Sequence, residues 1–224
     1  MEPLKHPLAI GFIGRATSGK DTAMELASDI IQEYNPGPVC LHYNFAEPVY
    51  HGAAALFGGT VEDWKDQSKR NEIVICGKTR RELLQTLGTE YGRDIVGYYQ
   101  TYGHFKWCPW THKAYRMKDN LDLRSTLMYT SVRFLDEIDY IQTCFWRHIL
   151  INVKRLGVQN MQHDSERLAR ELLHLQEGTS YQTYYELRYH EDPIIFQVYT
   201  IENNGTITEL KEKIRECLKS LSVV

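Results

Sequence analysis

Leu8-Ala9-Ile10-Gly11-Phe12-Ile13-Gly14-Arg15-Ala16-Thr17-Ser18-Gly19-Lys20-Asp21-Thr22 is the stretch whose reading decides the fold. An apolar run runs into a loop bounded by Gly14 and Gly19, Lys20 follows at once, and Ala23-Met24-Glu25-Leu26-Ala27 continues as a helix would. Strand, glycine-bounded loop, lysine and helix match G-x-x-x-x-G-K, the spacing of a phosphate-binding loop. Glycines let the backbone wrap a phosphate so that successive N–H groups point inward. The helix N-terminus behind them adds a partial positive charge. Gly14, Arg15, Ser18, Gly19, Lys20, Asp21 and Thr22 are therefore the candidate residues for ATP, with Lys20 facing solvent and reaching the outer phosphates. Position 21 carries Asp where the pattern has Ser or Thr, and a Thr follows at 22. Mg2+ takes oxygen ligands and keeps several waters, so Asp21 and Thr22 are the candidate metal residues.

Working outward, residues 20–34 read as a helix that stops near Asn35-Pro36-Gly37-Pro38, and Val39 to Phe45 as a second strand. Strand, helix, strand opens a parallel α/β fold. Pro48 to Phe57 suits a helix ended by Gly58-Gly59, and residues 60–78 read as a polar loop. Thr79 is placed to cap a helix to Leu87, with Glu82 completing a capping box. Leu127–Val132 and Ile149–Val153 read as strands, Leu135–Phe145 as a helix, and Ser165–Leu175 as an amphipathic lid helix. Ile194–Tyr199 is a further strand candidate, Asn203-Asn204-Gly205 a turn, and Ile207–Leu221 a terminal helix capped by Thr206 or Thr208.

At 224 residues the chain is expected to be one domain carrying a lid over about 155–190 and an inserted aromatic segment over 98–125. The net charge of −3 supplies no global basic field for nucleic acid. No apolar run reaches the ~20 residues that span a membrane, and the N-terminus lacks the pattern of a signal peptide. Cys40, Cys76, Cys108, Cys144 and Cys217 are scattered without a C-x-x-C, a reduced distribution that points to the cytoplasm.

Several segments, in order, resemble the phage deoxynucleoside monophosphate kinases. They are Ser18-Gly19-Lys20-Asp21-Thr22; Phe45-Ala46-Glu47-Pro48 with Ala53 to Gly58; Arg81 to Arg93; Val132-Arg133-Phe134 with Asp136-Glu137; Val153-Lys154-Arg155 with His163 to Glu166; and Asn203 to Thr206 with Glu209-Leu210. The resemblance covers most of the chain except roughly 98–125. It departs at Ser131, where the family pattern has Asp, and at Asp136, where it has Asn. It implies a P-loop α/β fold with a helical lid, and ATP- and Mg2+-dependent phosphorylation of a deoxynucleoside monophosphate in the host cytoplasm.

Phosphoryl transfer needs positioning and cations more than covalent help. Lys20, Arg133, Arg93 and Arg155 are the candidate catalytic cations, because Arg grips phosphate bidentately. Arg133 can instead pair with Asp136 or Glu137, and Arg93 with Glu90. Gln85, Glu90, Arg93 and Arg133 are the candidate acceptor-binding residues; Gln85 and Glu90 can read a base edge or stand as exposed helix residues. Of the basic residues in or near the lid, Arg147, Lys154, Arg155, Arg167 and Arg170, Arg155 and Arg167 are the chosen lid cations, with solvated surface as the alternative for each. His104, Cys108 and His112 have a metal-like spacing, but three ligands fall short of a structural zinc site, and Pro109 is expected to break a helix joining them. Tyr181, Tyr184, Tyr185 and Tyr189 read as helix-spaced aromatics that pack or stack a base, and His163 and Ser165 as caps of the lid helix. The aromatics Tyr98 to Tyr115, interleaved with Lys106, Lys113, Arg116 and Lys118, suit a flap or a homodimer contact, or a nucleic-acid grip. Two other functions stay open: a kinase acting on a hydroxymethylated base in DNA, and a non-catalytic nucleotide-binding protein.

Overall fold

The computed structural model describes residues 7–37, 39–96, 101–102, 105–106, 108–118, 125–157, 184–189 and 192–224. The chain divides into two compact units, Met1–Tyr43 with Asn120–Val224, and Asn44–Asp119. Along the chain come β1 (Leu8–Ile13), α1 (Lys20–Tyr34) and β2 (Cys40–Asn44). The second unit follows with α2 (Glu47–Phe57), α3 (Val61–Lys65), β3 (Ile73–Ile75), β4 (Lys78–Thr79), α4 (Arg80–Gln85), β5 (Thr101–Tyr102), β6 (Phe105–Lys106) and α5 (Pro109–Lys118). The first unit resumes with β7 (Thr126–Val132), α6 (Leu135–Cys144), β8 (Arg147–Lys154), β9 (Tyr184–Tyr189), β10 (Asp192–Gln197), β11 (Tyr199–Glu202) and α7 (Ile207–Ser220).

In the first unit the sheet order is β11-β8-β1-β7-β2. β1 runs parallel to β7 and β8, and β8 parallel to β11. β1 is buried along its whole length, as a strand covered on both faces must be. Its alternation sends Leu8, Ile10 and Phe12 to a core shared with Ala23, Ala27 and Ile30 of α1 and Leu210, Ile214 and Leu218 of α7. Gly11 faces the other side, where a Cβ would lie 2.7 Å from the Leu150 side chain and 3.0 Å from Ile141 of α6. Glycine lets α6 approach the sheet there. Tyr129, Tyr140 and Phe145 pack edge-to-face in the same unit, with the two tyrosine hydroxyls 3.1 Å apart. The fold is thus α/β, a mostly parallel sheet flanked by helices, as its opening strand, loop and helix require.

β1 sits where the chain direction reverses. After β1 the chain leaves toward β2 and returns at β7; after β8 it proceeds to β11 on the other side. Open α/β sheets bind ligands outside the carboxyl ends of their strands at such a switch point. The end of β1 is the loop from Gly14 to Gly19.

The strand expected over Ile194–Tyr199 is two strands with different partners. β10 pairs antiparallel with β9, whereas β11 joins the sheet beside β8. Tyr184, Tyr185 and Tyr189 accordingly lie on a strand, not at helix spacing, and this part of the expected helical lid is a β-hairpin.

The second unit has its own core of Val49, Ala53, Trp64, Leu84 and Leu87. Residues 60–78 are not a plain loop. Thr60 and Asp63 form a capping box on α3, and β3 pairs with β4. The anchor is Trp64, fully buried, whose Nε1 donates to the Gly58 carbonyl at 2.8 Å. Thr79 and Glu82 form the expected capping box on α4, but the helix does not stop at Leu87; it continues as a π-helical segment over Thr86–Val96. Pro109 opens α5 instead of breaking it, since a first-turn proline lacks only an N–H that would be unpaired anyway.

Candidate nucleotide-binding site

The loop after β1 is built from backbone geometry. Gly19 has φ 91°, the left-handed region, immediately before Lys20 begins α1. That conformation costs other L-residues and is free to glycine. Gly14 is required by crowding: a Cβ there would lie 2.5 Å from Ser18 Oγ and 2.8 Å from the Val153 carbonyl oxygen. Within the loop the Ser18 N–H donates to the Arg15 carbonyl at 3.1 Å, and Ala23 N–H to the Gly19 carbonyl at 2.8 Å. Thr17 also takes positive φ, at 64°. Ser18 is 1 % exposed, and among the described residues its hydroxyl has no hydrogen-bond partner.

Lys20 is a correction to the expectation that it faces solvent. Its side chain is 6 % exposed and lies 3.7 Å from the Asp21 carboxylate, which is 63 % exposed. The lysine is therefore largely out of water, with an acid beside it. Thr22 is half-buried one position on.

Arg133 follows β7, one strand over. Its neighbour Val132 pairs with Ile13, so Arg133 and Gly14 leave adjacent strand ends. The β1–β7 register is irregular just before: Thr130 and Ser131 together stand opposite Phe12. Ser131, where the resemblance expects Asp, is 6 % exposed and takes φ 58°, forming a bulge. Bulges re-aim the residues that follow them. Glu137, 1 % exposed, accepts the backbone N–H groups of Arg133 at 2.7 Å and Phe134 at 3.2 Å. It thereby caps its own helix, α6, through the backbone of Arg133 and Phe134. On α6, burial and the neighbouring Asp136 carboxylate push the Asp139 carboxyl up to about 6. Arg155 follows β8 and is exposed.

Sequence reasoning missed Asn203, which it took only as part of a turn. Its Nδ2 donates to the Ser18 carbonyl at 2.9 Å, and its backbone N–H donates to the Lys154 carbonyl at 2.7 Å. No local signal distinguishes it, because its partner is 185 positions away.

Gln85, Glu90 and Arg93 lie on one continuous helical stretch of the second unit. Gln85 is half-buried and Glu90 exposed. Arg93 is 8 % exposed and its Nη1 donates to the Gly88 carbonyl at 2.5 Å, a carbonyl that also accepts the Trp110 indole N–H at 3.0 Å. Gly92 is pressed against the Trp110 ring, where a Cβ would sit 2.5 Å from Nε1. Arg93 thus has a packing contact that its sequence context did not announce. His104, Trp107, His163, Ser165, Arg167, Arg170 and Tyr181 lie outside the described residues. Among the described residues no group of three His, Cys, Asp or Glu is placed to hold a metal ion, and no helix is long and apolar enough to cross a membrane.

No protein-family model matches the sequence, and no curated protein does. Solved structures do show a likeness over nearly the whole chain. One is a protein provisionally named a kinase from Chloroflexus aurantiacus, 14 % identical, with a TM-score of 0.39 over 97 % of this chain and 98 % of that one. Another is a provisionally named plasmid partition protein from Borrelia burgdorferi bound to AMPPNP, 10 % identical, with a TM-score of 0.33 over 96 % of this chain and 99 % of that one. Likeness at this level assigns no activity.

Proposed function

We propose that the protein transfers the γ-phosphoryl group of ATP to a deoxynucleoside 5′-monophosphate, giving the diphosphate. The observation that carries this is the loop from Gly14 to Lys20. It leaves the carboxyl end of the central strand at the switch point of a parallel sheet, turns through a left-handed glycine, and enters α1 with a lysine at its first position. A left-handed glycine, a helix N-terminus and a cation in that order suit a polyphosphate. The choice of a deoxynucleoside monophosphate as acceptor rests on the resemblance of the Arg81–Arg93 and Val132–Phe134 segments.

In the reaction an acceptor phosphate oxygen attacks the γ-phosphorus, the bond from γ-phosphorus to the β,γ-bridging oxygen breaks, and ADP leaves. The acceptor oxygen is already ionised, so no side-chain base is needed. The Gly19 N–H and Lys20 would bind the donor phosphates and offset charge on their oxygens. Arg133 would orient the acceptor phosphate from the adjacent strand end, with Arg155 as a further cation following β8. The exposed carboxylate of Asp21 and the hydroxyl of Thr22 are hard oxygen donors of the kind Mg2+ takes. They would hold the ion, which when bound offsets phosphate charge. Gln85, Glu90 and Arg93 remain the proposed acceptor-side residues of the second unit.

The test is an ADP-release assay with each deoxynucleoside monophosphate in turn, run beside hydroxymethylated DNA. Monophosphate-dependent ADP release is expected. Label transfer to DNA alone would replace this function with the DNA-kinase one.

A further inference from the structure

We propose that Asn203 is a positioning residue for the donor loop, holding the Ser18–Gly19 peptide so that the Gly19 N–H is presented to a nucleotide phosphate. The proposal rests on the donor-site reading above. Asn203 directly follows β11, and three bonds converge on it and its neighbour. Its side-chain amide donates to the Ser18 carbonyl at 2.9 Å. Its backbone N–H donates to the Lys154 carbonyl at 2.7 Å. Asn204 Oδ1 accepts the Leu156 N–H at 2.8 Å. One turn therefore clasps the loop after β1 to the chain leaving β8. The turn is itself fixed from behind, because Thr206 and Glu209 form a capping box at the start of α7.

The direction of the effect follows from peptide geometry. In a trans peptide the C=O and N–H point opposite ways. Holding the Ser18 carbonyl toward Asn203 turns the Gly19 N–H away from Asn203, to the other side of the loop. Gly19 is needed twice over: it takes φ 91°, and a Cβ there would collide with Asn203 Nδ2. The chemistry also selects the residue type. The partner is a carbonyl, so the side chain must donate, which Asn does and Asp does not. A loop fixed before ATP arrives avoids the ordering cost of fixing it on binding.

The test compares wild type, Asn203→Ala and Asn203→Asp by calorimetric titration with MgATP, by KM for ATP and for the monophosphate, and by melting curves. Asn203→Ala is expected to weaken ATP affinity about 2- to 12-fold, the worth of one neutral hydrogen bond, with the monophosphate KM unchanged. Asn203→Asp keeps the shape but sets a carboxylate against a carbonyl, so it is expected to weaken ATP affinity more than Ala does. A residue that only filled space would give the opposite order. Variants that bind ATP like wild type, or an Asp variant better than the Ala variant, would overturn the proposal. Should the Ala variant unfold, the isosteric Asp variant carries the comparison with wild type. Failure of the wild-type chain to bind MgATP is a separate result, which sinks the donor-site reading and the proposal with it.

Discussion

Lys20 lies beside an acid and almost out of water, so its replacement must keep the volume while removing the charge. Lys20→Met is expected to lower kcat/KM by about 10- to 150-fold, the range for a charge-assisted hydrogen bond, with little change in melting temperature; turnover and a melt measured together check it. At Arg133 the bond from its backbone N–H to Glu137 survives a change of side chain. Arg133→Met is expected to raise the KM for the monophosphate and lower kcat over the same range of about 10- to 150-fold, leaving ATP binding near wild type. If both constants stay within about twofold, the guanidinium serves structure only. Asp139 makes a statement about pH. Burial and Asp136 raise its carboxyl from 3.8 to about 6. The folded state then holds the proton more tightly than the unfolded state between those values. Its cost to stability is therefore fully present above about pH 6 and fades as pH falls toward 4. Asp139→Asn should melt higher than wild type at pH 7.5 and no higher at pH 4. The Cys217 thiol is pushed up to about 12 by burial, as befits a side chain of α7 in the core that α7 shares with α1 and the sheet.

At the scale of elements, the loop after β1 depends on its neighbours as much as on its own residues. Gly14 stands 2.8 Å, measured from where a Cβ would be, from the backbone oxygen of Val153 in β8. Backbone cannot swing aside as a side chain can. Gly14→Ala should therefore displace the loop or the strand end, weaken MgATP binding at least tenfold by calorimetry, and cost roughly 1–3 kcal/mol of stability as overpacking does. Wild-type affinity in that variant would show that the loop has room to spare. The capping boxes at Thr60, Thr79 and Thr206 were readable to different degrees. Those at Thr79 and Thr206 stand before clear helical patterns, whereas the one at Thr60 opens a helix too short to leave a periodic trace. The same brevity concealed the β3–β4 hairpin. The extension of α4 through Thr86–Val96 was hidden because Gly88 and Gly92 argue against a helix interior; they are accommodated by the close approach of Val49 and Trp110.

For the whole molecule, the proposed ligand should act on stability by mass action. MgATP at 100 times its dissociation constant should add about 2.7 kcal/mol, which for a chain of this size is a rise of about 5–11 °C in melting temperature at about 2–4 °C per kcal/mol. A scan with and without MgATP checks it, and no shift would remove the donor site from the account. The sequence by itself determined the α/β class, the glycine-bounded loop between β1 and α1, and the main strands and helices of the first unit. Those features are local: an apolar run, a glycine spacing, a capping pair and a helical period all fall within about a dozen residues, where sequence adjacency is spatial adjacency. Tertiary structure alone decided the rest. The strand order around β1, the burial of Lys20, the bulge at Ser131, the split of 192–202 between a hairpin and the sheet, and the grip of Asn203 on Ser18 all depend on partners far away in the chain. A hydrogen bond spanning 185 positions leaves no periodicity in the sequence, because its energy depends on where two backbones are brought together and not on the residues that flank either end.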